Sequence, residues 1–187
     1  MTPDQQPSRR LRPLRPGAPV VAIVVALALA GGLGAVVAVG SGGHSPAVAK
    51  VGRPAPSWSA PTVAGVAGPP ETQARHWTVL NFFATWCVPC QKETPELAAF
   101  EAAHRASGDA RVVGVLYLDS ASSARSFAAS HSVTWPILGD AHGDVASRYQ
   151  VSGLPQSFVI RPDGTLAARL FGAVTEAKLD AVVGVAT

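Results

Sequence analysis

The sequence predicts an α/β protein, a mixed central β-sheet flanked by helices and preceded by one N-terminal transmembrane helix. Three observations carry this. An uncharged apolar run fills residues 20–39 just after a cluster of arginines. Beyond it, strand-like apolar runs alternate with segments of helical period, the order that builds parallel strands through crossover helices. Near the end, two apolar runs are joined by Pro162-Asp163-Gly164, a connection tight enough to make them an antiparallel pair.

No charged residue occurs between Pro16 and Gly43, and residues 18–40 are read as a transmembrane anchor. Twenty helical residues at about 1.5 Å each reach about 30 Å, the thickness of a bilayer's hydrocarbon core. Arg9, Arg10, Arg12 and Arg15 keep residues 1–17 in the cytoplasm, which puts everything after the anchor outside it, where disulfides persist. Ala47-Val48-Ala49 fits a cleavage signal, but the apolar run exceeds the roughly 7–15 residues of a signal peptide's core, so the anchor is read as retained. Residues 41–52 have linker composition, and 53–187 form the folded domain.

Composition excludes several classes. At 48% apolar and 14% charged, the chain is neither disordered nor collagenous. The four N-terminal arginines against Asp4 account for the whole net charge of +3, and the remaining charges cancel in number. The domain therefore lacks the basic excess of a nucleic-acid-binding surface.

Taken in order, residues 54–63 suggest a short edge strand around Trp58, and 65–70 a Gly/Pro-rich loop. Residues 77–83 form a continuous β-branched and aromatic run, suited to a strand buried on both faces. Residues 91–106 carry Leu97, Phe100, Glu101 and His104 at helical spacing and stop at Gly108. A second buried strand covers 111–118, helices follow at 122–130 around Phe127 and at 144–149, strands at 157–160 and 165–171, and a closing helix at 175–185. There is no internal repeat.

The two cysteines stand together as Cys87-Val88-Pro89-Cys90, between a strand and a helix. At a helix start the free N–H groups and the dipole favour an anion, which lowers the thiol pKa below about 8.5. Pro89 suits a first turn, where its missing N–H costs nothing. A metal site would need further ligands, and His76, His104, His131 and His142 are not near the pair in sequence. A purely structural bridge closing so short a loop would add little stability. The remaining reading is a redox-active dithiol.

The segment Asn81-Phe82-Phe83-Ala84-Thr85-Trp86-Cys87-Val88-Pro89-Cys90, followed by Glu93 and Pro95, resembles the active-site segment of TlpA/ResA-type membrane-anchored thioredoxin-like thiol–disulfide oxidoreductases, relatives of the redoxin and AhpC/TSA proteins. Pro54-Ala55-Pro56 is similar to their domain opening, residues 112–119 to their next strand, and Val151-Ser152-Gly153-Leu154-Pro155 to the segment bearing their cis-proline. The resemblance runs over about 52–183 and implies a thioredoxin-like fold. By it, Cys87 is the exposed nucleophile, Cys90 the shielded resolver, and Glu93 a proton handler at the buried thiol, the alternative for Glu93 being an acid favoured by the first-turn dipole alone. Trp86 shields the edge of the disulfide. Asn81 stands where thioredoxin has a buried aspartate, and an asparagine takes no proton, which leaves that duty to Glu93. Leu154–Pro155 is expected cis, beside the disulfide, with neighbouring backbone free to pair with a substrate strand.

The resemblance further implies an extracytoplasmic, membrane-tethered enzyme without cofactor or metal. Its partners would be cysteine-containing exported proteins, apocytochrome c during maturation among them, and a membrane thiol–disulfide donor that re-reduces the pair. A disulfide-introducing oxidase is the alternative, since direction depends on a reduction potential in which about 30 mV is a factor of ten. A copper-binding chaperone using both sulfurs is another. A peroxiredoxin would need Thr or Ser three residues before its cysteine and Pro seven before, where this chain has Ala84 and Leu80.

Overall fold

The computed structural model describes residues 49–65 and 75–184. The cytoplasmic stretch 1–17, the anchor 18–40, and most of both the linker 41–52 and the loop 65–70 lie outside the described residues. Among the described residues no helix is long and apolar enough to cross a membrane.

Among the described residues ten elements follow in chain order: β1 Thr62–Ala64, β2 Trp77–Phe83, α1 Val88–His104, β3 Ala110–Tyr117, α2 Ala121–Ser130, β4 Ile137–Asp140, α3 Asp144–Tyr149, β5 Gln156–Ile160, β6 Leu166–Phe171 and α4 Glu176–Gly184. One six-stranded sheet contains the strands in the order β1-β4-β3-β2-β5-β6. Strand β2 pairs parallel with β3 and antiparallel with β5, so the sheet is mixed as expected. All seven residues of β2 are buried, which is why its run is apolar without alternation. Successive side chains still point to opposite faces. Leu80 and Phe82 meet Val115, Phe158, Trp58 and Tyr149 of α3 on one face, whereas Val79 meets Leu97 and Phe100 of α1 and Leu179 of α4 on the other.

Four points differ from the expectation. Trp58 lies in no strand; it packs into the core from a loop, and the edge strand is β1, a few residues later. Strand β4 was not foreseen. Helix α1 begins at Val88, ahead of residue 91, and continues through Pro95. The chain before Pro54 also belongs to the folded unit. Ala49 is buried and donates to the Arg148 carbonyl (3.2 Å), and Gly52 and Ala55 donate to β6 and the turn before it, at Leu166 (2.8 Å) and Gly164 (2.9 Å).

Candidate active site

Strand β2 ends in the interior and its chain turns directly into α1, with Cys87 as the helix N-cap. Cys87 and Cys90 are joined by a disulfide, with Cα atoms 5.2 Å apart. The Cys90 N–H points at Cys87 Sγ (3.3 Å), so the first sulfur accepts from one free donor of the first turn. Cys87 is 6% exposed and Cys90 1%. The order is the expected one, but in the disulfide the first sulfur is itself buried; the exposed side chains here are its neighbours Trp86 and Val88. The loop between strand and helix is pinned from outside. Asp119, just past β3, accepts from the Thr85 N–H (2.9 Å) and hydroxyl (2.6 Å), and Gln91 Nε2 donates to the Thr85 carbonyl (2.8 Å). Burial works to raise the Asp119 pKa, but the hydrogen bonds from Thr85 and Ser120 outweigh it and hold the carboxyl below its usual range.

Glu93 lies in the second turn of α1, beyond the reach of the first-turn dipole, and it is 1% exposed. The dipole-only account of this residue is thereby set aside. Its Oε1 accepts from Asn81 Nδ2 (2.8 Å) and its Oε2 from the Val174 N–H (2.9 Å). Burial raises the carboxyl to a pKa of about 7, against the lowering effect of the Val174 and Asn81 hydrogen bonds. Asn81 Nδ2 also donates to Ser157 Oγ (3.0 Å). Sequence reasoning missed Ser157 and Val174. Val174 contributes only its backbone, but a serine leading into the apolar run Phe158-Val159-Ile160 was a readable signal.

The Leu154–Pro155 bond is cis, and Leu154 packs against the cluster that contains Cys87 and Cys90. The Pro155 carbonyl accepts from the Gly172 N–H (3.0 Å), whereas among the described residues no backbone hydrogen bond engages Leu154. Cys87, Cys90 and Glu93, from α1 and its cap, thus converge with the Leu154–Pro155 loop, far away in sequence, and Trp86, next to Cys87 in the chain, is 65% exposed. Among the described residues no group of three or more His, Cys, Asp or Glu is placed to hold a metal ion.

A sulfur pair presented this way, at the end of a mixed sheet and opposite a cis-proline, is the centre of the thioredoxin-like thiol–disulfide oxidoreductases. The AhpC/TSA family profile matches residues 51–169, and the chain belongs to that family. It is 35% identical over 100 residues to the thiol-disulfide oxidoreductase ResA of Bacillus subtilis, an alignment covering 54% of this chain and 55% of that protein. Thus the chain spans about half the length of that curated relative. Among solved structures, a thioredoxin-family thiol:disulfide interchange protein from Chlorobium tepidum superposes with a TM-score of 0.64 at 27% identity, covering 75% of this chain and 99% of that one. A secreted Mycobacterium tuberculosis disulfide oxidoreductase homologous to E. coli DsbE gives 0.58 at 26% identity, covering 67% and 93%.

Proposed function

We propose that the protein is an extracytoplasmic, membrane-tethered thiol–disulfide oxidoreductase that reduces disulfides in exported proteins, the haem-binding cysteines of apocytochrome c among them. The observation that supports it best is the buried Glu93, three residues after Cys90, with a carboxyl near neutrality in its pKa. The names of the similar proteins, one of them secreted, support the location.

In the reduced state the Cys87 thiolate, favoured by the helix start, attacks one sulfur of a substrate disulfide. That S–S bond breaks, a Cys87–substrate bond forms, and the first substrate thiolate leaves and is protonated. Cys90 then gives its proton to the Glu93 carboxylate and its sulfur attacks Cys87 Sγ. The Cys87–Cys90 disulfide forms, the second substrate thiolate leaves and takes up a proton, and two electrons have passed to the substrate. A dithiol donor in the membrane returns two electrons and two protons. Leu154 offers its backbone N–H and carbonyl to an extended substrate segment, a β-addition that holds the scissile disulfide against Cys87.

Direction is tested by the reduction potential of the pair in a dithiothreitol redox buffer: a value near or below about −270 mV is expected, and one near about −120 mV would make the protein an oxidase instead. The order of attack has its own test. Cys90→Ser should accumulate covalent adducts with exported cysteine-containing proteins on non-reducing gels, and Cys87→Ser few; equal trapping would reverse the assignment of the sulfurs.

A further inference from the structure

We propose that the Ser157–Asn81 pair, and not Glu93 alone, sets the pH at which the centre exchanges its proton, with Asn81 as the positioning residue. This rests on the reading of Glu93 as the proton acceptor for Cys90. Asn81 and Ser157 are direct partners across the antiparallel β2–β5 ladder, so their side chains share a face of the sheet. Both are buried, at 3% and 0% exposure. Strand β2 is also held by β3 on its other side, where Asn81 pairs with Gly114, so the amide is presented from a strand paired on both edges.

A side-chain amide nitrogen has two protons. In Asn81 one goes to Glu93 Oε1 and the other to Ser157 Oγ. Donation to Oε1 favours the carboxylate, because a proton on that oxygen would face a donor. The same amide turned about would present Oδ1, an acceptor, and favour the neutral acid. Which way it is held therefore decides the sign of its effect, and Ser157 is the second partner that holds it. The Val174 N–H acts in the same sense on Oε2. Among the described residues no charged group bonds to Glu93. Around Glu93 stand Asn81 from β2, Ser157 behind it from β5, the Val174 amide ahead of α4, and Cys90 on its own helix; Glu96, one turn on, is engaged with the Glu176 N–H (3.0 Å). The ion pairs among the described residues are those of His104 with Asp109 and Asp180. Two neutral donors thus oppose burial, which keeps the proton of Glu93 transferable instead of permanently held.

In the step affected, Cys90 S–H passes its proton to the Glu93 carboxylate while its sulfur displaces the substrate thiolate from Cys87. The dithiol loses two electrons and the substrate disulfide gains them.

The test uses the full chain in detergent, oxidised so that neither cysteine titrates, with ¹³C-labelled glutamate carboxyls followed by NMR. The resonance absent from Glu93→Gln identifies the group, and its midpoint should lie near 7. Asn81→Leu should raise that midpoint by about one pH unit, the worth of one hydrogen bond to a charged group, and Ser157→Ala by less in the same direction. The pH profile of glutathione-disulfide reduction by the reduced chain should move with it. Midpoints unmoved in both variants overturn this inference and leave the role of Glu93 standing. A profile that Glu93→Gln leaves unaltered overturns the role of Glu93 itself and the inference with it. Should Asn81→Leu not fold, Ser157→Ala carries the test alone.

Discussion

The two ends of α1 hold the closing segment of the chain in different ways. At the near end Glu93 and Glu96 accept from the backbone N–H groups of Val174 and Glu176, where the chain turns into α4. At the far end His104 lies between two carboxylates, with Nδ1 2.9 Å from Asp109 and Nε2 3.0 Å from Asp180 of α4. Glu93 and His104 both have raised pKa values, from opposite causes. Burial among neutral groups raises Glu93 by disfavouring its charge. At His104 burial works to lower the pKa, but the hydrogen bonds to Asp180 and Asp109 outweigh it and favour the charge. A shifted pKa at a helix contact thus says little by itself about chemistry. In the mechanism proposed above the dry end serves proton transfer; the wet end, with its carboxylates about half exposed, is a pH-dependent tie.

The largest expected effect comes from breaking both ends together. Phe100 is fully buried between them, its ring 4.4 Å from that of His104, and Phe100→Ala should cost about 3–5 kcal/mol in urea unfolding. A loss under about 1 kcal/mol would mean that the ends hold independently of the packing between them.

Next comes the dry end alone. Because the Glu93 pKa rises from 4.5 to about 7 on folding, the native chain keeps a proton that the unfolded chain releases over that window. Stability should therefore fall as pH rises from 4.5 through about 7, by up to about 3 kcal/mol, and Glu93→Gln should flatten this slope. The same variant should slow thiol–disulfide exchange about a hundredfold. An unchanged slope in unfolding experiments on the variant would contradict the burial argument.

The wet end gives the smallest effect. His104 is raised above 6.5, so its contribution is fully present below that pH and disappears as pH rises through the folded value. His104→Asn should cost up to about 1 kcal/mol in mildly acidic solution and less in alkaline solution, with exchange rates unaltered. A larger cost at alkaline pH would assign the residue to packing.

Much of this was legible in the sequence, and the gaps have physical causes. Strands β2 and β3 announce themselves because burial on both faces demands unbroken apolar runs. Strand β4 is Ile-Leu-Gly-Asp, four residues that are a strand only because β3 and β1 pair with them. Trp58 draws attention to its own segment as a strand, yet a large aromatic ring fills the core equally well from a loop. At the site, the C-x-x-C spacing and Glu93 are visible as a motif. That Glu93 is dry depends on the Val174 amide, 81 residues away, and a backbone N–H leaves no mark in a sequence.

The placement of Trp86 has an optical consequence. Of the four tryptophans, Trp58, Trp77 and Trp135 are buried, at 6%, 6% and 3% exposure, whereas Trp86 is 65% exposed and adjoins Cys87 in the chain. A disulfide quenches a neighbouring indole by accepting an excited-state electron, and dissolved iodide reaches only indoles in contact with solvent. The iodide-sensitive part of the emission therefore belongs to Trp86. A change in that component when the pair is reduced should follow the state of Cys87, the next residue in the chain.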